Sequence, residues 1–339
     1  MEGFVETPAG PVPRVATKLS RRDQLGTARA RVGIVRSRYK VNPGLYCVGN
    51  AGPESPVLVT ANYKLSFDTL RKELAGLDGW ILVADTRGIN VWCAAGKGTF
   101  SADEIGLQVL RARLDQVVSH RELILPQLGA SGVAVLDLKK KCGFAGIFGP
   151  LRAADIRRFL AKNKKADEAM RAVTFSLGER LVLVPVEISL AWKLFAAATV
   201  FIFLLSGIGP DIFSLQAAWQ RGLTATGATL LAILAGALLT PLLLPWLPGR
   251  QFWLKGVQAG GILGLGYILF LKETLWSLPG AGLWLWIVAV SSYMAMNFTG
   301  STPYTSLSGV EAEMRRGLPL QAGATVAALA LWLAAPFIG

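Results

Sequence analysis

PVLVTANYKLSFDTLR (residues 56–71) and GWILVADTRGINVWCAAGKGT (residues 79–99) decide how the first half of the chain is read. Each opens on a short run rich in β-branched and aliphatic residues, Val57–Thr60 and Trp80–Ala84, which predicts a buried strand. Similar runs recur at Val133–Leu136 and Leu181–Val184, and helix-like stretches lie between at Ser66–Leu74, Asp103–Val118 and Ala153–Ala161. Strands alternating with helices predict an α/β sheet of Rossmann-like type. Ligands of such sheets gather beyond the carboxyl ends of the strands. Two segments are expected there: Thr60-Ala61-Asn62-Tyr63 after the first strand, and the run Thr86–Thr99 after the second.

The run Thr86–Thr99 admits three readings. Gly96-Lys97 suggests a phosphate-binding loop, but Val91 stands where the first glycine belongs, and Gly98 follows the lysine where a magnesium-binding hydroxyl is needed. The run also fits an ordinary buried turn with an inert cysteine, the commonest fate of a single Cys among apolar neighbours. Finally, it fits a thiolate presented to a ligand by a short helix. Asn90 is a suitable helix cap, and Lys97 would favour the thiolate form of Cys93.

Charge divides the 339 residues in two. Residues 193–339 hold seven Lys/Arg and four acids, which leaves 28 basic and 18 acidic residues, a net +10, in 1–192. No helix-turn-helix, zinc-finger or ribonucleoprotein motif accompanies that charge, so no nucleic-acid partner is expected. A basic domain tethered to a membrane fits it, through the positive-inside bias and attraction to anionic lipid. Residues 1–20 carry Pro8, Pro11 and Pro13 and lack the apolar core of a secretory signal, so the first domain is expected in the cytoplasm. Cys47, Cys93 and Cys142 are widely spaced, and His120, the only histidine, reads as a surface residue. Reduced thiols are expected, with no disulfide framework and no zinc or iron–sulfur site built by this chain alone.

Residues 191–339 are expected to form an all-α membrane domain after a soluble domain at 1–190. Five spans are predicted, near 191–210, 223–247, 252–271, 278–298 and 318–338, each close to the ~20 apolar residues a bilayer requires. With the amino-terminal domain inside, Arg250, Lys255, Arg315 and Arg316 fall in inner loops, and Arg221 and Lys272 in outer ones. That orientation makes the chain a multi-pass protein of the cytoplasmic (inner) membrane with its carboxyl terminus outside. No charge sits at the centre of a span, which argues against an ion pathway. Gly260, Gly261, Gly264 and Gly266 suit close helix packing. The hydroxyl-rich segment at 297–314 is expected on the side of the soluble domain, either as a polar connector or as a loop that docks near its ligand.

The eight residues Asn90-Val91-Trp92-Cys93-Ala94-Ala95-Gly96-Lys97 resemble the signature motif of the mercury-methylating corrinoid proteins. The likeness extends through PGLYCVGN (43–50) and PVLVTANYKLSFDTLR (56–71), segments also similar to the large subunit of the corrinoid iron–sulfur protein. The resemblance implies a cobalamin or related corrinoid covered by a cap helix, with Cys93 as the cobalt ligand. It implies that Trp92, Ala94, Ala95 and Lys97 shape the surface beside that ligand, with Asn90, Val91, Gly96, Thr60 and Asn62 as further cofactor contacts. The implied reaction is transfer of a methyl group from methyl-cobalt(III) to mercury(II).

Mercury(II) is an electrophile, so the methyl group must arrive as a carbanion or radical equivalent. A thiolate is a strong, soft donor that pushes electron density onto the metal and favours that mode of departure. Recharging by a methyl-cation donor, of methylfolate or sulfonium type, then requires two electrons per turnover. The resemblance supplies the reductant: a ferredoxin-like protein with two [4Fe–4S] clusters. Cys47 and Cys142 read as structural thiols, with a mercury relay as the alternative. The rival readings are a membrane-anchored corrinoid methyl carrier of one-carbon metabolism and a membrane protein that binds or transports metal or corrinoid.

Overall fold

The computed structural model describes residues 2–302 and 304–338. The chain folds as two compact units, Met1–Val173 and Thr174–Gly339, so the second begins ahead of the expected division at residue 190. In the first unit the order is β1 (Gly3–Thr7), β2 (Gly10–Arg14), α1 (Arg21–Arg31), β3 (Gly44–Val48), β4 (Val57–Ala61), α2 (Lys64–Glu73) and β5 (Gly79–Ala84). There follow α3 (Val91–Gly96), α4 (Ala102–Arg111), α5 (Leu114–Val117), β6 (Glu122–Leu125), α6 (Val135–Cys142), β7 (Ala145–Phe148), α7 (Ile156–Ala161) and α8 (Glu168–Arg171).

The strands make one mixed sheet in the order β1-β2-β3-β5-β4-β6-β7. β5, β4, β6 and β7 run parallel, and β3 joins β5 antiparallel, pairing Gly44 with Val83 through Val48 with Gly79. Alternate residues of β4 and β5 feed two cores. Val57, Val59, Leu82 and Ala84 pack on one face with Phe100, Ile105 and Leu138. Leu58, Ile81 and Val83 pack on the other with Phe67, Leu74 and Phe159. Burial on both faces is why these parallel strands read as continuous apolar runs.

The α/β expectation holds as a mixed sheet, with local corrections. Val133–Leu136, expected as a strand, leads into α6, and Leu181–Val184 is the turn from one helix to the next, Leu177–Leu181 to Val184–Leu205; a short apolar run does not distinguish a strand from a helix end. The expected helix Asp103–Val118 breaks between α4 and α5, where Arg113 adopts a left-handed φ of 45°.

A buried ionic group ties α1 to α2. Lys64 Nζ lies 2.6 Å from Asp23 Oδ1 and 2.5 Å from Asp68 Oδ2, and Arg71 reaches Asp23 at 2.9 Å and Asp68 at 2.8 Å. Burial would raise the Asp23 carboxyl, but hydrogen bonds from Lys64 and Ser20 outweigh it and hold the group well below the usual carboxylate range. A depressed folded-state value gives stability that is present above the unfolded value of ~4 and lost as pH falls through the folded one. Asp23→Asn is therefore expected to lower the melting temperature at pH 7 and to make less difference as the pH is lowered below ~4. Melting curves of both proteins across that range check this.

The second unit is helical: α9 (Leu177–Leu181), α10 (Val184–Leu205), a two-stranded turn of β8 (Ile208–Gly209) and β9 (Ile212–Phe213), α11 (Leu215–Ile233), a π-helical stretch Leu234–Leu239, α12 (Thr240–Leu243), α13 (Phe252–Phe270), α14 (Leu278–Asn297) and α15 (Leu307–Ile338). Four stretches are long and apolar enough to cross a membrane: Leu177–Leu205, Leu215–Leu243, Leu278–Ser301 and Ser308–Ile338. The span expected at 252–271 forms as helix α13, which carries five glycines, Lys255 and Gln258 and is not one of those four. Much of the segment at 297–314 is also helical, with a connector only between Ser301 and Leu307, of which Pro303 lies outside the described residues. Arg221, expected in a loop, lies within α11. Its Nη1 donates to the carbonyls of Ser206 (3.1 Å) and Ile208 (3.3 Å), and its guanidinium stacks 4.7 Å from the Trp332 ring centre.

Candidate functional site

The four parallel strands, read in chain order as first to fourth, stand in the spatial order second, first, third, fourth. The reversal falls between β4 and β6, and crevices at such reversals, beyond the carboxyl ends of the strands, are where open α/β sheets bind ligands. Three segments meet there. Ala61 leads into Asn62 and Tyr63 after β4, residues 85–90 carry β5 into α3, and Gln127–Gly132 follows β6. Although α3 follows β5, it packs against β4 and Gln127–Gly129, so the motif helix lies over the reversal.

Asn62 builds the turn that delivers α3. It is 2% exposed. Its Oδ1 accepts from the backbone N–H groups of Thr86 (3.1 Å) and Gly88 (2.9 Å), and its Nδ2 donates to Asp85 Oδ1 (2.8 Å). The Thr86 hydroxyl lies 2.8 Å from the same Oδ1 and 2.7 Å from the Ile89 carbonyl, with one proton to share. Arg87 at φ 59° and Gly88 at φ 80° reverse the chain. Asn90 then caps α3, its side chain accepting from Cys93 N at 2.8 Å.

The sequence of α3 explains its seat. Val91, Ala94 and Ala95 are buried, and Trp92 and Cys93 are half-buried on the more open side. Gly132 brings the loop after β6 against the helix. A Cβ there would lie 2.8 Å from Ala95 Cα, 2.9 Å from Ala95 O and 2.5 Å from Phe100 O, all backbone atoms that cannot swing away. Gly96 and Lys97 are exposed, and Gly98, at φ 73°, turns the chain out of the helix. Thr60, 4% exposed, lies within β4.

Burial pushes the Cys93 thiol up from its ordinary range, while the positive charges of Arg36 and Lys97 and the Asn90 side chain act in the opposite direction. Arg36 was not singled out by sequence reasoning, and Tyr63 was named only as the last residue of the segment expected beyond the first strand. The Arg36 guanidinium lies 6.0 Å from the Tyr63 ring centre, and the Tyr63 and Cys93 side chains are near enough for their charges to interact. Tyr63 is 2% exposed, and its buried hydroxyl has no hydrogen-bond partner. Its place immediately beyond β4 was the available signal. Arg36 comes from a distant segment, and no local pattern points to it.

Cys47, Cys93 and Cys142 are free thiols. Cys47 is fully buried in the core beneath the sheet, and the half-buried Cys142 points its sulfur at the Leu138 carbonyl, 3.2 Å away. His120 is half-buried, with Nε2 2.9 Å from the Ser55 carbonyl, so its ring ties two loops together. Among the described residues no group of three or more His, Cys, Asp or Glu could hold a metal ion.

Residues 34–159 match the family model of the CO dehydrogenase/acetyl-CoA synthase delta subunit. The chain is 30% identical over 130 residues to the acetyl-CoA decarbonylase/synthase complex subunit gamma of Archaeoglobus fulgidus, covering 38% of this chain and 27% of that one. The Methanosarcina acetivorans subunit gamma is 33% identical over 132 residues, 38% of this chain and 28% of its own. The corrinoid/iron-sulfur protein large subunit of Moorella thermoacetica is 30% identical over 131 residues, again 38% and 28%. This chain thus spans little more than a quarter of the length of these curated relatives. Its first unit contains a domain related to theirs, which takes in Arg36, Asn62, Tyr63 and Cys93 and stops short of the helical unit.

Proposed function

We propose that the first unit binds cobalamin or a related corrinoid over α3, with Cys93 as the protein ligand of cobalt, and that the chain passes a methyl group to mercury(II). The observation that carries this reading is the placement of Cys93: a half-buried thiol on a helix anchored by Asn90 and Asn62, at the sheet reversal. The relatives' names add the cofactor class, since one of them is a corrinoid/iron-sulfur protein. When bound, the corrinoid supplies the cobalt centre that accepts and releases the methyl group.

The chain's own residues hold and tune the ligand. Asn90 and the Asn62-braced turn fix the direction of the thiol. Arg36 and Lys97 favour its deprotonated form against the cost of burial. The unpaired Tyr63 hydroxyl offers a hydrogen-bond donor inside the same crevice. Trp92 stands beside Cys93 on the more open side of α3, while Ala94 and Ala95 seat the helix in the core. A thiolate favours departure of the methyl group with its electrons, the form an electrophile such as mercury(II) takes. The electron balance then calls for a separate reductant, a ferredoxin-like protein with two [4Fe–4S] clusters, and a methyl-cation donor.

The helical unit serves as a multi-pass anchor in the cytoplasmic membrane, with the first unit on the cytoplasmic side. We count α13 as a fifth span. Gly256, Gly260 and Gly264 meet Ala295, Ser291 and Ile287 in turn, so α13 runs antiparallel along α14, and its 19 residues make ~28 Å of helix.

A second reading is favoured by the relatives' names: a membrane-anchored methyl carrier of one-carbon metabolism. Membranes containing the chain, supplied with a labelled methyl donor, a low-potential reductant and mercury(II), separate the two. Label in methylmercury supports the first. Label that charges the protein but does not leave for mercury supports the second. The thiols away from α3 give a further prediction: the Cys47→Ala, Cys142→Ala double variant should keep the wild-type rate in this assay, and a parallel loss would revive the relay.

A further inference from the structure

At the end of the helical unit where the chain enters it, a cavity of about 500 Å3 is lined by Arg180, Arg250 and Lys255 together with Phe175, Phe252 and Tyr304. Two of the three cations are buried: Arg180 is 5% exposed and Lys255 is 8% exposed. Backbone carbonyls hold both. Arg180 Nη1 donates to Pro241 O at 2.7 Å and Leu242 O at 3.0 Å, and Lys255 Nζ donates to Leu244 O at 2.6 Å. Among the described residues, no carboxylate forms an ion pair with Arg180, Arg250 or Lys255. Glu313, whose charge reaches Lys255, spends its two oxygens on the N–H groups of Phe252 (2.7 Å) and Trp253 (3.0 Å) at the start of α13. Carbonyl dipoles solvate a buried cation only in part, and a buried charge without a counter-ion is costly. Three convergent cations with one neighbouring acid already engaged leave a surplus that an anion would neutralise.

The rest of the wall indicates how that anion arrives. Phe175 and Tyr304 stack at 4.9 Å with their planes 13° apart. The segment beneath, Leu244 to Leu247, carries Trp246, which is 72% exposed. An exposed tryptophan at the end of an apolar helix marks the headgroup level of a bilayer, and basic pockets between membrane helices take lipid headgroups. The outer apolar surface continues at Leu243, 38% exposed, along which an acyl chain can lie.

We propose that this cavity binds an anionic phosphate group, presented by an acidic phospholipid of the leaflet on the side where the chain enters. Lipid then completes the charge balance of Arg180 and Lys255 and fastens α9 to the α12–α13 turn. This inference concerns only the helical unit and is independent of the corrinoid assignment.

The test uses the full chain in nanodiscs of phosphatidylcholine doped with phosphatidylglycerol, with native mass spectrometry reading the lipid retained after gentle release. Wild type should retain phosphatidylglycerol over phosphatidylcholine. Arg250 is exposed and makes no side-chain hydrogen bond or ion pair among the described residues, so Arg250→Gln should leave the fold intact and weaken phosphatidylglycerol retention by about fivefold, the effect of one cation near a charged headgroup. Lys255→Gln should weaken it further. Equal retention of the two lipids, or unchanged retention in Arg250→Gln, would overturn the proposal. Displacement of the lipid by inorganic phosphate alone would assign the cavity to a free anion and overturn the lipid.

Discussion

Cys93→Ala, reconstituted with cobalamin, is expected to lose the absorption of a thiolate-ligated cobalt(III) corrinoid and to lower methyl transfer to mercury(II) by about two orders of magnitude or more. The size follows from the position of the residue. Losing a group that merely orients a metal ligand costs about 10–100-fold, and Cys93 is proposed as the ligand itself. The fold should survive, because the thiol is half-buried and α3 is held by Asn90, Ala94 and Ala95, which remain. Far-ultraviolet circular dichroism and the melting temperature should therefore match wild type within the small range usual for substitutions outside the core. Cys93→Ser sharpens the test. It keeps the size and the cap but replaces a soft donor by a hard one, so it should fall close to alanine. Wild-type absorption in Cys93→Ala would remove the thiolate from the site, and with it the argument for release of the methyl group to an electrophile.

How much of this was legible in the sequence depended on how local each feature is. β4, β5 and α2 were readable because their apolar runs are continuous and bounded by turn residues. In the strands at Gly44–Val48, Glu122–Leu125 and Ala145–Phe148 the apolar run is shortened by Gly44, Glu122 and Gly146, and they owe their structure to neighbours already in the sheet. Helix α6 begins with a β-branched residue and a leucine, a pattern that local propensity assigns to a strand. At the site, Asn90 and Cys93 lie within one turn of each other, so capping chemistry and spacing placed them together. Asn62 was weighed as a cofactor contact, whereas its side-chain groups bind Asp85, Thr86 and Gly88 across a strand pairing that no local pattern encodes. Tyr63, Arg36 and the Gly132 contact on Ala95 likewise depend on strand order, which the sequence did not reveal. Arg221 was misplaced because a cation near a predicted span end reads as a loop residue. The carbonyls of Ser206 and Ile208 that receive it come from the preceding turn.

Asn62→Ala should then be a damaging change at the site that leaves Cys93 in place. It strands the buried N–H groups of Thr86 and Gly88, which accept no substitute from an alanine, and each orphaned group costs about 1–3 kcal/mol. The combined loss of about 2–6 kcal/mol is a large share of the ~5–15 kcal/mol that stabilises a typical domain. The damage should concentrate where the hydrogen bonds were: residues 85–90 should exchange their amide protons faster in Asn62→Ala, while those of β6 and β7 change less. Because that turn aims α3, corrinoid retention should fall by about 10–100-fold, as for the loss of a group that orients a ligand. Asn62→Asp separates the roles of the amide oxygen and the amide nitrogen. It preserves an acceptor for Thr86 and Gly88 but sets a second carboxylate against Asp85, which the Asn62 amide now approaches to 2.8 Å. That variant should be weaker than wild type at pH 7 and should recover as acidification protonates one member of the pair. Equal corrinoid retention in wild type and Asn62→Ala would mean that α3 is positioned by its packing on Gly132 and Phe100 alone, and that Asn62 serves only the stability of the turn after β5.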